Sequence, residues 1–339
     1  MKRTALLIGF MALMKMQTLA QDPHFSQFFA SPLTLNPALT GKFDGVFRAA
    51  GNYRDQWPAI SKAFVTSTLS LDAPMLINRI NPNDTWGVGL MAMTDRTANG
   101  ILNSNYISIS TAYHKGLDED GLNQLGFGFQ GTYASKRLDG SQLKFENELD
   151  LNGNWTLPSN EPVDGRSVNV NYFDFNAGVL YNGSTDGYNN FYLGASMYHI
   201  NRPRESYMGN GYYTLNPRLT IHSGGYFKVG ETTTLHLTAL FSQQAGANET
   251  VIGGAVAFNL NNDAEETPTN FYAGSWLRFN DAIIPYVGLE WNDFRLGATY
   301  DVNYSSLKVG SQSRGGIEIS LIYIKKPASG RKGIPCPKF

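Results

Sequence analysis

From Val46 to Ile324, large apolar residues recur at every second position, and this period of two constrains the fold more than any other feature. In Trp86-Gly87-Val88-Gly89-Leu90 the bulky residues alternate with glycine. Ile107, Ile109 and Tyr113 share one parity, with Ser108 and Ser110 on the other. Leu125, Phe127, Phe129 and Tyr133 alternate with Gly126, Gly128, Gln130 and Thr132. Phe191, Leu193, Ala195 and Met197 alternate with Tyr192, Gly194, Ser196 and Tyr198, and Val287, Leu289 and Trp291 with Tyr286, Gly288 and Glu290. Successive side chains of a strand point to opposite faces, so each stretch reads as a strand with unlike surroundings on its two sides.

About fourteen such segments follow one another, each close to the 9–11 residues a tilted membrane-crossing strand needs. Their expected bounds are 43–54, 62–73, 85–95, 104–116, 122–135, 170–182, 188–201, 216–229, 233–243, 250–260, 270–280, 283–291, 293–304 and 315–325. An even count suits a bacterial barrel with both termini in the periplasm. Connection lengths agree. Lys136–Asn169 and Arg202–Leu215 are long and follow odd strands, whereas Leu117–Gly121, Gly230–Thr232 and Asn292 are short and follow even ones. Pro74–Asp84 departs from the pattern, being long for a periplasmic turn.

The start of the chain sets the compartment. Lys2 and Arg3, an apolar run from Leu6 to Met14, and Thr18-Leu19-Ala20 form a secretory signal peptide with cleavage expected before Gln21. Lys15 and Gln17 break the run too early for a membrane anchor. A lone cysteine, Cys336, leaves an exported chain unable to form an internal disulfide. Charged residues make up 16% against an ordinary share of about 25%, and the net charge is −1. There is no basic field to attract nucleic acid.

A large soluble β-sandwich alternates too. Three features favour a transmembrane antiparallel barrel of the outer membrane. The strands are long, the chain ends soon after the last of them, and aromatics (Trp57, Trp86, Tyr113, Tyr133, Tyr198, Trp276, Trp291) stand near their ends as interfacial girdles would. The parity opposite the lipid-like residues carries Arg48, Asn52, Arg54, Asp72, Gln130, Asn176, Glu290, Arg295, Asp301 and Glu318. These should face inward. Arg48, Asp72, Glu290, Arg295 and Glu318 are the expected lumen network, pairing across the interior. Water or a plug must fill a lumen of this width. The segment 21–42, rich in Phe, Pro and Asn, is the candidate for folding into the periplasmic mouth. The organisation is then signal peptide 1–20, N-terminal periplasmic or plug-like segment 21–42, barrel 43–325 and basic periplasmic tail 326–339 (Lys326, Arg331, Lys332, Lys338), following Lys325.

Catalytic motifs are not evident. Gly126-Phe-Gly128-Phe-Gln-Gly131 has the spacing of a dinucleotide fingerprint but lies inside an alternating strand with no helix after it. His24, His114, His199, His222 and His236 show no metal-ligand spacing. Asp118-Glu-Asp120-Gly121 lacks the ligand series of a calcium loop and reads as a turn. No serine and histidine are paired by any signature. We expect no enzyme activity, cofactor, metal or small-molecule substrate.

Three stretches carry a family resemblance. Gln21-Asp-Pro-His-Phe-Ser-Gln-Phe-Phe-Ala-Ser-Pro-Leu-Thr-Leu-Asn-Pro-Ala-Leu-Thr-Gly41, Asn52-Tyr-Arg-Asp-Gln-Trp-Pro-Ala-Ile60 and Gly315-Gly-Ile-Glu-Ile-Ser-Leu-Ile-Tyr323 resemble hallmarks of the PorP/SprF membrane proteins of type IX secretion. The end, Pro335-Cys-Pro-Lys-Phe339, resembles that family's C-terminus. The resemblance implies a barrel held in outer-membrane lipid that binds periplasmic ring components of the secretion machine, or a secreted adhesin cargo linked to gliding. Phe25, Phe28, Phe29, Asn36, Arg54, Gln56 and Trp57 are then the candidate partner-binding residues. A porin or nutrient transporter is the alternative.

Overall fold

The computed structural model describes residues 22–60, 64–77, 79–207, 213–261 and 269–326. The expected signal peptide and the tail beyond Lys326 lie outside the described residues.

Fourteen strands form: β1 (Phe47–Gln56), β2 (Phe64–Met75), β3 (Thr85–Thr97), β4 (Leu102–Gly116), β5 (Gln124–Asp139), β6 (Ser167–Ser184), β7 (Asn190–Tyr198), β8 (Arg218–Lys228), β9 (Thr233–Gln244), β10 (Ala247–Asn259), β11 (Asn270–Arg278), β12 (Ala282–Trp291), β13 (Phe294–Asn303) and β14 (Arg314–Lys325). Each pairs antiparallel with its sequence neighbours, and β1 pairs with β14, so the sheet closes. The seam runs without a break from Phe47↔Lys325 to Gln56↔Gly316. Closure removes the free edges a membrane cannot tolerate. No described helix is long and apolar enough to cross one.

Alternation becomes two surfaces. Leu69, Ile109, Phe129 and Phe173 are each about two-thirds exposed on the outside (64–66%). Ser108, Ser110, Gln130 and Asn176, one parity away, are at most 3% exposed. The even count puts both barrel ends, Phe47 and Lys325, at one rim, the periplasmic one by the rule for bacterial barrels. The connections between β5 and β6 and between β7 and β8 lie at the opposite, outer rim.

The periplasmic exception between β2 and β3 has a structural reason: it packs on the neighbouring turn. Asn83 Nδ2 donates to the carbonyls of Asp118 and Glu119, and Asp84 accepts from Tyr113 Oη at 2.5 Å and from the Gly116 amide at 2.9 Å. Burial opposes ionisation of Asp84, yet these hydrogen bonds and Lys115 hold its carboxyl below the usual carboxylate range.

Two expectations need correction. Tyr198 and Trp276 do not belong to an interfacial girdle. They are 6% and 3% exposed and face the lumen, because each shares the parity of inward residues such as Ser196 and Arg278. The five residues of the expected lumen network also pair with neighbours in the wall rather than across the interior. Arg48 pairs with Asp72, Arg54 with Glu318, and Arg295 with Glu290, each directly opposite on the adjacent strand. A facing residue on the next strand is only about 5 Å away, so such pairs form before any span of the lumen could.

Candidate functional site inside the barrel

Residues 22–42 do not alternate and cannot join the sheet. Pro23, Pro32 and Pro37 each lack the amide a ladder requires. Instead the chain makes three short turns: Phe28–Ala30, Pro32–Leu35 and Pro37–Leu39. Proline suits the first position of each of the latter two, where the amide has no helical partner anyway. The Asn36 side chain accepts from the Ala38 amide at 2.8 Å and so caps the last turn.

This segment lies within the barrel, along its length. Asp22 is near the outer rim, where its carboxylate meets His199 at 2.7 Å and Arg218 at 3.4 Å, and its amide donates to Gln244. Thr40 and Gly41 are near the periplasmic rim. Thr40 bonds Ser110 at 2.9 Å, the Gly41 amide donates to Asp72 at 2.7 Å, and Arg48 donates to the Leu39 carbonyl. Lys42 donates to Gln124. The segment thus has its Gly41 end at the periplasmic mouth and its Asp22 end toward the outer rim.

The densest contacts gather at Ser26 and Gln27. Glu318 accepts the Ser26 amide at 2.7 Å and the Gln27 amide at 3.0 Å. Ser26 Oγ donates to Asp301 at 2.8 Å and accepts from Arg54 at 2.5 Å and Arg278 at 2.6 Å. The Gln27 carboxamide donates to the Glu318 carbonyl and accepts from Ser320. Arg54 also pairs with Asp301, and Arg278 with Asp301, Glu249 and Asp281. Arg54, Arg278, Asp301 and Glu318 are almost fully buried, and each has an opposite partner, which burial demands.

The middle of the segment is held by shape and apolar contact. Phe29 stacks on Trp276 with centroids 4.8 Å apart and meets Tyr286 edge-on at 5.7 Å. Asn36 Nδ2 donates to the carbonyls of Val179 and Ala195. Ser196 and Tyr198 donate to the carbonyls of Leu35 and Leu33. The wall makes room with glycine. A Cβ on Gly128 would stand 2.3 Å from the Ala38 amide nitrogen, and one on Gly178 would stand 1.9 Å from Asn36 Oδ1. Two of the fingerprint-like glycines thus serve packing, Gly126 against the His114 ring and Gly128 against the segment. Gly128 faces inward against the segment, while Gly131 faces out.

The placement alters the reading of the candidate partner-binding residues. Phe25, Phe28, Asn36 and Arg54 are 6% exposed or less, enclosed by the barrel, so they form no surface for another molecule as they stand. Phe29 is half-buried on Trp276. Gln56 and Trp57 are half-buried at the outer rim, where the Trp57 ring packs on Phe64. Ser26, Gln27, Asp22, Arg278, Glu249, His199 and Arg218 were not singled out as site residues from sequence. Asp22, Ser26 and Gln27 stood inside the motif, yet nothing local marks them as lumen ligands. No cluster of three or more metal-ligating side chains occurs among the described residues.

A closed antiparallel barrel with an apolar exterior and a charged, hydrogen-bonded interior is a bacterial outer-membrane barrel. The family model described as type IX secretion system membrane protein PorP/SprF matches residues 17–323, and the chain belongs to that family. It is therefore an outer-membrane component of type IX secretion. Comparison with curated proteins gave no match. Among solved structures, the toluene transporter TbuX of Ralstonia pickettii is similar over 88% of this chain and 94% of its own, at 10% identity and a TM-score of 0.50. A FadL homologue of Pseudomonas aeruginosa is similar over 85% and 92%, at 10% identity and a TM-score of 0.44. At such identity the likeness to TbuX concerns the fold alone.

Proposed function

We propose that this protein is a non-enzymatic component of the type IX outer-membrane machinery that works by binding, holding periplasmic ring components or a secreted adhesin at the membrane. One observation carries the reading: the lumen that a porin would leave for solute is occupied by the protein's own residues 22–42, bonded from Asp22 at one rim to Gly41 at the other. Family membership supplies the partner class.

The test is cross-linking in native membranes, followed by purification through a tag and recording in planar bilayers. Recovery of secretion-ring subunits or an adhesin, with no steady open-channel current, is the expected result. Large steady currents with no secretion component recovered would favour the porin or transporter and overturn the proposal.

A further inference from the structure

The segment 22–42 sits in the barrel as a ligand sits in a site. The sheet closes through all fourteen strands without it, and it contributes no rung to any ladder. The wall charges near it are paired among themselves: Arg54 and Arg278 with Asp301, Arg54 with Glu318, Arg278 with Glu249, and Arg48 with Asp72. Toward these charges the segment offers mostly neutral groups: the Ser26 hydroxyl, the Gln27 carboxamide and backbone amides. Its own ionisable side chains are only Asp22, His24 and Lys42. If Asp22 left, His199 would keep Asp174 at 3.0 Å, and Arg218 would keep the face of Tyr198 at 4.5 Å. Departure therefore strands no wall carboxylate and leaves a polar surface that water can cover.

The tether fixes the direction. The segment joins β1 at the periplasmic rim through residues 43–46, just past Gly41, whose φ of +70° and close approach to Gly87 suit only glycine. Its other described end lies at the outer rim. Such a segment leaves by being drawn back toward the periplasm. Twenty-one residues fully extended span roughly 70 Å.

We propose that residues 22–42 are a withdrawable plug. Docked, it fills the lumen; drawn out on its periplasmic tether, it opens a hydrated interior. The inference rests on the lumen-filling reading above but not on which partner binds. Burial of Phe25, Phe28, Leu33, Leu35 and Leu39 makes the docked state the default, so the released state persists only when something else takes up those side chains.

Hydrogen exchange on the full chain in detergent micelles tests this. The Ser26, Gln27 and Gly41 amides, which bond to Glu318 and Asp72, are compared with the ladder amides of β1 and β14. A separable plug exchanges by its own opening, about 100-fold faster than the ladders or more. Equal rates for both sets would show the segment to be an inseparable part of the folded barrel and overturn the proposal. Failure of the cross-linking experiment above would leave these exchange rates unaltered, so the two readings fail separately.

Discussion

Replacing Arg54 by methionine should destabilise the barrel and loosen the segment within it together. Arg54 is 2% exposed, lies 3.0 Å from Asp301 and 3.3 Å from Glu318, and donates to Ser26 Oγ. Removing one partner of a buried ion pair costs about 3–5 kcal/mol, mainly because the remaining charge is left uncompensated. The loss here falls at the low end. Asp301 keeps Arg278 at 2.9 Å, and Glu318 keeps the amides of Ser26 and Gln27. About 3 kcal/mol is expected, roughly a 150-fold change in the unfolding equilibrium. Adding Glu318→Gln removes the uncompensated charge, so the double variant should regain most of that loss. Urea unfolding of the micelle-bound protein, followed by tryptophan emission, measures all three proteins. The expected cost is refuted if Arg54→Met unfolds within about 0.5 kcal/mol (the size of an ordinary surface substitution) of the parent. It is equally refuted if the double variant is no more stable than the single one.

Two further outcomes follow from the same geometry. Gly128→Val should expel the middle of the segment, because its Cβ alone would stand 2.3 Å from the Ala38 nitrogen, whereas Gly131→Val, with nothing nearer than 3.9 Å, should be tolerated. Limited proteolysis before β1 distinguishes them, with circular dichroism showing the strands intact in both. At the periplasmic rim, the carboxyl of Asp84 is held below its ordinary range, so its contribution to the turn is present above that range and lost as pH falls through the lowered value. Exchange of the Gly116 amide should accelerate with falling pH beyond its intrinsic trend in the parent, and Asp84→Asn should abolish that extra dependence.

Much of the barrel was legible because lipid and lumen demand opposite chemistry of adjacent residues. All fourteen expected segments correspond to strands, with ends displaced by a few residues. The first was expected at 43–54 and forms at Phe47–Gln56, since 43–46 carry the chain out of the lumen. Trp276 shows where a plausible rule misled. Its parity with Tyr272 and Arg278 was readable and pointed inward, but its place near a strand end suggested a girdle. The contacts of Ser26 were not readable at all. Its partners Arg54, Arg278, Asp301 and Glu318 lie 28, 252, 275 and 292 residues away, and no local pattern brings them together. Short polar residues in a proline-rich stretch have many uses. Only the closed sheet, which puts β1, β11, β13 and β14 around one volume, gives them this one.

The three stretches that carry the family resemblance meet in that volume. Ser26 belongs to the first, Arg54 to the second and Glu318 to the third, and they are joined by hydrogen bonds of 2.5–3.3 Å. A stretch shaped to recognise another protein would present its side chains, whereas this one commits them to the interior of its own barrel. Recognition by the docked protein must therefore use other surfaces. Two are available by position: the outer connection between β5 and β6, where Leu151 and Trp155 are exposed, and the periplasmic turns beside the tether. If the N-terminal motif itself meets a partner, it can do so only after leaving the lumen. Partner binding through that motif and opening of the barrel are then one coupled equilibrium, and a ligand that captures the motif must favour the open state by its differential affinity for it.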